Sequence, residues 1–581
     1  MYSSEQNVQI LLALFKAHKI KKMVLSPGSA NASFVASVQS DSEFELYSSV
    51  DERSAAYIAC GLAEESNEPV VICCTGATAS RNYMPGLTEA YYRKLPIIAV
   101  TATRPISWIG QNRDQLIDRT IIPNDIAVKS VHLPIVQNSD DAWECNLKIN
   151  DVLLELKRNG GGPVHINLTT AYSIDFSIKK LPSERVIHRF FNNNELPKIP
   201  KGNIAVFVGA HSKWSMKLQE NVDRFCECYD AIVFYDQTSN YWGKYGIPCG
   251  MFDIAGFPSI HIDLLIHIGN ISASWPPSAK EVWRVNPDGE IRDTFKNLTN
   301  VFQMKEEDFF DFFSKRGNKV NHVQYNKWNG EYCKLEKALE EQEKNMGFSS
   351  LWIAQTLRCR IPLNVVIHYG ILNSLRCWNC FKIDKSIRGY SNTGGFGIDG
   401  CVSSLIGASL ANKDKIYYGF FGDLAFFYDM NSIGNRHVGS NIRILVANNG
   451  LGGEFKNSLG NVQKAGLGDS ANEYISAYGH YGNESRSLLK HYAEDLGFEY
   501  LSAANKEQFL KVVDKFLSPQ IGSRPILLEV FMDDHEDVEA LDILKRLNNE
   551  AEGIVDKTKQ LAKNIIGDKG VNILKRMTPK L

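Results

Sequence analysis

The chain has 581 residues, 44% of them apolar and 22% charged, and its 64 basic and 66 acidic side chains leave a net charge of −2. That balance gives no overall electrostatic reason to hold nucleic acid or an acidic membrane. No apolar run approaches the ~18–20 residues of a membrane span, and twelve cysteines are too sparse for a disulfide framework.

At about 100–200 residues per domain the length predicts three or four domains. The opening MYSSEQNVQILLALFKAHKIKK has polar residues before its apolar stretch and no small-residue cleavage site after it. It therefore reads as no signal peptide, and the chain as a cytoplasmic protein. VVICC (70–74), LPIIAVTA (95–102) and GPVHINL (162–168) read as buried parallel strands, with helices expected over 53–65 and 80–94. This is a doubly wound α/β domain, 1–182. The polar segment 181–202 reads as a linker. A central α/β domain, 200–315, follows, with strands expected at 203–210, 231–236, 263–269 and 281–287.

The charged stretch 314–345 leads to a third α/β domain, 346–535, with strands at 362–370, 415–423, 441–449 and 524–532. Its strand–helix grammar matches that of the first domain, as an old duplication would. Cys377 and Cys380 form a lone CxxC without a second pair or a His pair at zinc spacing, so reduced packing cysteines are expected. A C-terminal helical extension, 536–581, carries nine Lys/Arg and five Asp/Glu over 541–581, with Leu541, Leu544, Leu547, Leu561 and Ile565 at helical spacing. It reads as a helix packed on its own domain rather than on a membrane surface.

The chemistry concentrates at two strand ends of the third domain. One strand runs into Gly422-Asp423, and the next ends in Asn448-Asn449-Gly450-Leu451-Gly452-Gly453. In a parallel sheet the carboxyl ends of successive strands share one crevice. A carboxylate, an amide oxygen and a backbone carbonyl there are hard ligands suited to Mg²⁺, and the glycines admit a diphosphate. Asp and Asn at strand ends also do ordinary turn chemistry. Gly395, Gly397 and Gly400 fit G-x-G-x-x-G, but no strand runs into the first glycine, so the dinucleotide reading is weaker.

In the first domain, Asp51-Glu52-Arg53-Ser54-Ala55-Ala56 places a glutamate at a helix start, and Cys74-Thr75-Gly76-Ala77 follows a strand. With these residues the chain resembles the thiamine-diphosphate-dependent family of 2-oxoacid decarboxylases and carboligases. Within that family it is most similar to the menaquinone-pathway synthase branch, which joins a 2-oxoglutarate-derived unit to isochorismate. That likeness rests on Ser26-Pro27-Gly28-Ser29, Glu89-Ala90-Tyr91-Tyr92, Thr101-Ala102-Thr103-Arg104-Pro105, Gln115 to Asp118, Asn373-Ser374, Ser391-Asn392, Gly397-Ile398-Asp399-Gly400 and Gly422-Asp423-Leu424.

The resemblance implies thiamine diphosphate and Mg²⁺ as cofactors. Asp423, Asn449 and Leu451 would hold the metal, and Glu52, shut away from water, would hydrogen-bond the pyrimidine ring. Thr75, Gly76, Asn373, Ser374, Ile398, Asp399, Gly422, Leu424 and Gly452 would complete the cofactor site. Glu52, Gln115 and Ser29 would be catalytic. The substrates would be met by Ser29, Arg104, Gln115, Ser374, Arg376, Trp378, Thr393, Glu454 and Phe455. The pyrimidine-binding domain of one chain would face the diphosphate-binding domain of another, so a homodimer is the minimum and a tetramer the alternative.

The branch holds its anionic substrates with basic residues, and here those positions read Ala30, Thr393, Trp378 and, after a central strand, Ile271 to Trp275. Four charged hydrogen bonds at about 1.5–3 kcal/mol each are a large loss. Arg104, Gln115 and Ser374 remain, and Arg376 stands near enough to substitute. Trp378 and Trp275 are expected to shorten the pocket, to stack on a ring or sugar, or to pack. The expectation is a carboligase that decarboxylates a small-molecule 2-oxoacid such as pyruvate and passes the acyl unit to an organic acceptor other than isochorismate. The alternatives are the menaquinone-pathway reaction itself and a simple decarboxylase. A decarboxylase is disfavoured because residues 110–115 lack a His-His pair, and a non-catalytic scaffold because Glu52, Asp423 and Asn449 are intact.

Overall fold

The computed structural model describes residues 1–192, 195–211, 214–457, 460–479 and 485–547. They form parallel α/β sheets distributed over two compact units, the first holding residues 1–196 with 282–284 and 288–303.

In the first unit, β1 (Lys22–Leu25), β2 (Glu45–Ser48), β3 (Val70–Cys74), β4 (Ile97–Thr103), β5 (Lys129–Leu133) and β6 (Val164–Thr169) build a parallel sheet in the order β2-β1-β3-β4-β6-β5. Side chains of a strand alternate between faces, and β3 shows the consequence. Val71 and Cys73 pack with helices Gln6–Ala17 and Ser139–Glu155, whereas Val70, Ile72 and Cys74 pack with Glu52–Ser66 and Met84–Arg93. Both faces are therefore covered, which is the doubly wound arrangement, and burial pushes the Cys74 thiol up to about 12. The helix expected over 80–94 is two helices, Thr78–Asn82 and Met84–Arg93. Pro85 lacks an N–H and is accommodated only at a helix start. A Cβ on Gly86 would lie 2.5 Å from the Ala56 Cβ, so this contact sets how closely the second helix crosses the one that begins at Glu52. β7 (His188–Phe191) forms inside the segment expected to be a linker and pairs in parallel with a strand from 298 to 303.

Burial pushes the imidazole of His165 down to about 3 and that of His132 down to about 4. In the unfolded chain both would titrate near 6.5. The unfolded state thus binds more protons between about pH 4 and 6.5, and stability falls as pH is lowered through that window, by up to about 1.4 kcal/mol per pH unit for each histidine. The urea midpoint is expected to drop between pH 7 and 4.5, and to drop less in His165→Gln. A pH-independent midpoint would contradict this.

In the second unit, β8 (Ile204–Val208), β9 (Ile232–Tyr235), β10 (Gly246–Pro248) and β11 (Ile262–Ile268) run in the order β10-β9-β8-β11. β12 (Ala279–Val285) and β13 (Leu298–Gln303) follow in the chain. The charged stretch contains a 19-residue helix, Val323–Glu341, whose Trp328, Tyr332 and Leu339 are buried. The last sheet comprises β14 (Val366–Tyr369), β15 (Arg388–Tyr390), β16 (Tyr417–Gly422), β17 (Ile442–Asn448), β18 (Glu499–Ala503) and β19 (Ile526–Phe531), in the order β15-β14-β16-β17-β19-β18. This is the strand order of the first sheet repeated.

Residues 534–547 are helical, with Leu541 and Leu544 buried. The rest of the expected basic tail, 548–581, lies outside the described residues. All twelve cysteines are free, with Cys377 and Cys380 buried. Among the described residues no His/Cys/Asp/Glu group of three or more is placed to hold a metal, and no helix is long and apolar enough to cross a membrane.

Candidate active site

β16 pairs with β17 in parallel, with Gly422 opposite Ala447, so Asp423 and Asn449 emerge at the same sheet edge. Asp423 is 2% exposed. Its Oδ1 accepts from the Leu424 N–H at 2.8 Å and its Oδ2 from the Gly450 N–H at 2.8 Å. Backbone donors thus fix a buried carboxylate at the edge of the sheet. Gly450 turns the chain at φ +83°, a conformation that favours glycine. The two asparagines at the end of β17 and just after it divide the work. Asn448 donates to the buried Glu529 at 2.7 Å, whereas Asn449 lines a cavity of about 550 Å³.

That cavity also takes its wall from Asn373, Ser374, Ile398, Asp399, Gly422, Asp423, Leu424, Leu451, Gly452, Glu454 and Phe455. A Cβ on Gly452 would lie 2.9 Å from the Phe455 ring, and one on Gly453 would lie 3.0 Å from Asn449 Nδ2. The glycine run is therefore packed to the backbone. Asp423 carboxylate, Asn449 amide and Leu451 carbonyl are all hard oxygen donors and fit Mg²⁺ rather than a soft metal. Four carboxylates (Asp399, Asp423, Glu454, Asp537) line the cavity, and among its described lining residues there is no Lys, Arg or His. Such a wall favours a cation, and a diphosphate only together with one.

Six expected substrate residues are not in this wall: Ser29, Arg104 and Gln115 belong to the first unit, and Arg376, Trp378 and Thr393 to the second. Arg376 is held by Glu454 in a bidentate pair, with Nη2 donating to Oε1 at 2.9 Å; its charge is already matched. Trp378 is 3% exposed, with its ring 4.7 Å from Phe420 and 5.5 Å from Tyr369. Of the expected alternatives it packs and does not line the cavity: Leu375 and Trp378, three residues apart, share the inward face of their short helix. Trp378→Ala should lower stability by about 3–5 kcal/mol, measured by urea unfolding, because it empties an aromatic cluster. Thr393 is buried in the loop after β15. Trp275 is half exposed.

In the first unit, Asp51 caps helix Glu52–Ser66, accepting from the Arg53 N–H at 2.9 Å and the Ser54 hydroxyl at 3.1 Å. Glu52 is thereby released from capping. It is half-buried rather than shut away from water within this chain, and its carboxylate accepts from Asn82 at 3.4 Å. At the end of β3, Thr75 Oγ1 is buried with no hydrogen-bond partner among the described residues. A Cβ on Gly28 would meet the Thr75 side chain at 2.4 Å, and one on Gly76 would meet the carbonyls of Ala102 and Gln115 at 3.2 Å. Gly28, Thr75, Gly76 and Gln115 are therefore packed together. Ser29 and Gln115 are exposed, the latter at φ +52°. Arg104 donates to Asp114 at 3.3 Å and lies 5.4 Å from the Tyr172 ring.

Two residues escaped the sequence reading. Arg119 is buried, bonds Ser80, Ala102 and Asn167 at 2.8–3.0 Å, and is pushed down to about 10 by burial; it braces the strand ends around Gly76. Asp537 lies in the wall of the cavity. Neither sits in a motif, and no signal in the sequence marks them.

Residues 6–122 match the family described as thiamine pyrophosphate enzyme, N-terminal TPP binding domain. A 2-succinyl-5-enolpyruvyl-6-hydroxy-3-cyclohexene-1-carboxylate synthase of Bacteroides thetaiotaomicron is 32% identical over 566 residues, 93% of this chain and 98% of its own length. Its namesake in Phocaeicola vulgatus is 32% identical over 568 residues, again covering 93% and 98%. The one in Porphyromonas gingivalis is 29% identical, covering 91% and 95%.

Proposed function

The chain belongs to the thiamine-diphosphate-dependent enzyme family, and from that premise we propose that it is a carboligase that decarboxylates a 2-oxoacid and transfers the acyl unit to an acceptor other than isochorismate. The observation that carries the enzymatic reading is the buried Asp423 beside Asn449 at one sheet edge, facing a glycine-walled cavity.

The cofactor supplies the acyl carbanion equivalent, and the protein supplies binding and proton control. Asp423, Asn449 and the Leu451 carbonyl would hold Mg²⁺ against the diphosphate. Asn373, Ser374, Gly422, Leu424 and Gly452 would line the diphosphate, with Ile398 and Asp399 beside it. Thr75 Oγ1 and the closely packed Gly76 offer an unpaired polar atom and a bare backbone to the pyrimidine. Glu52 would hold a proton at the pyrimidine ring nitrogen, in reach of the general acid–base role of a carboxyl. Ser29, Arg104 and Gln115 would meet substrate.

The acidic wall and the Arg376–Glu454 pair support a donor without a distal carboxylate. Burying such a carboxylate beside Glu454 would leave a desolvated charge without a partner. The second reading is the synthase reaction for which the relatives are named, favoured by 32% identity over 93% of the chain. The domain limits 1–182, 200–315 and 346–535, a cytoplasmic setting, and a homodimer or tetramer in which two chains complete one site belong to the same proposal.

A panel of 2-oxoacids offered with thiamine diphosphate and Mg²⁺, monitored for CO₂ with and without acceptors, tests it. Pyruvate is expected to exceed 2-oxoglutarate in kcat/KM. A tenfold preference for 2-oxoglutarate, lost in Arg376→Ala, would instead establish the second reading, with Glu454 yielding Arg376 to the substrate.

A further inference from the structure

We infer that Asp537 is a positioning residue that fixes the amide orientation of Asn449, and with it the oxygen offered to the metal. This deepens the proposed function and rests on Asn449 being a metal ligand.

Asp537 is 4% exposed and lies on the helical segment 534–547. Its Oδ1 accepts from the Ser350 N–H at 2.7 Å, at the start of helix Ser350–Leu357. Its Oδ2 accepts from Asn373 Nδ2 at 2.7 Å and from Asn449 Nδ2 at 3.5 Å. Gly453 closes over this group, because a Cβ there would lie 3.0 Å from Asn449 Nδ2 and 3.8 Å from both Asn373 Nδ2 and Asp537 Oδ2.

Asp537 accepts at both oxygens, from the Ser350 N–H on one and from the two amide NH₂ groups on the other. The NH₂ end of each amide therefore faces Asp537, and Asn449 Oδ1 lies at the other end of its amide, 3.5 Å from the Leu451 N–H, where the proposal places the cation. A reversed amide would point N–H donors at the cation. The orienting group arrives from 88 residues further along the chain, so the C-terminal segment becomes part of the metal site. The neighbouring Glu536 anchors the same segment separately, its carboxylate accepting from the Phe348 N–H at 2.9 Å.

The test uses full-length protein and two readouts. One is the affinity for Mn²⁺, followed by the paramagnetic signal of the free ion in the presence of thiamine diphosphate. The other is the Mg²⁺ concentration that half-saturates cofactor-induced fluorescence quenching. Asp537→Asn is expected to weaken both by at least about tenfold, the scale for loss of a group that orients a ligand. Glu536→Gln should leave both at wild-type values. Asn449→Asp is the second variant, and it opposes two effects. It offers a charged and intrinsically stronger ligand, yet aims its second oxygen at Asp537. Weaker metal binding than wild type supports the inference, and tighter binding overturns it. Unchanged values in Asp537→Asn, or an equal loss in Glu536→Gln, overturn it as well. Wild-type protein whose cofactor binding ignores divalent metal overturns the proposed function itself.

Discussion

Asp423→Ala is expected to abolish metal-dependent cofactor binding, raising the Kd for thiamine diphosphate by at least about a hundredfold, because it removes the only charged member of the proposed ligand set. The carboxylate also receives the Leu424 and Gly450 N–H groups at 2.8 Å each. Deleting it removes the acceptor of both N–H groups, at about 1–3 kcal/mol for a buried one, and the thermal midpoint should fall too. Asp423→Asn separates the two effects: it can still accept one of those bonds but loses the charge. The expected pattern is a midpoint nearer wild type with cofactor affinity still lost. Titration of fluorescence quenching against thiamine diphosphate at saturating Mg²⁺ reads the affinity. Wild-type affinity in either variant would remove Asp423 from the metal site.

Glu52→Gln is expected to bind cofactor normally yet exchange the thiazolium C2 proton about 10²–10⁴-fold more slowly, the usual scale of general acid–base assistance. Glutamine keeps the length of the side chain and a hydrogen bond but cannot hold and release a proton. The substitution is structurally mild, because Asp51 already caps the helix through the Arg53 N–H and the Ser54 hydroxyl. The thermal midpoint should therefore stay close to wild type. Quenched deuterium exchange followed by NMR of the released cofactor reads the rate. Wild-type exchange would reduce Glu52 to a helix-start residue.

The architecture was legible where strands are buried on both faces. Val70–Cys74 is a continuous apolar run, and Ile442–Asn448 holds one from Ile444 to Ala447; such runs announce parallel strands whatever surrounds them. Short or exposed strands were not. Glu45–Ser48 is almost entirely outside the core and carries no apolar pattern, and His188–Phe191 is a four-residue strand within a polar segment. The expected helix over 80–94 overlooked that Pro85 must open a new helix.

The same divide runs through the site. Asp423, Asn449 and the glycines after them were legible because a parallel sheet collects its carboxyl ends at one edge, so position along the chain nearly decides position in space. The environment of those residues was not. Arg376 meets Glu454 across 78 residues, and Asp537 meets Asn373 across 164; no local pattern encodes such pairs. Trp378 stands four residues beyond Ser374, yet packing on Phe420 and Tyr369 takes it out of the cavity wall. The sequence by itself determined the sheet, the edge and the residue types that stand there, because each follows from a strand and the few residues after it. Only the tertiary structure decided which charges are already paired, which ring lies in the core and which carboxylate orients the amides, because burial and partner choice are set by segments far apart in the chain.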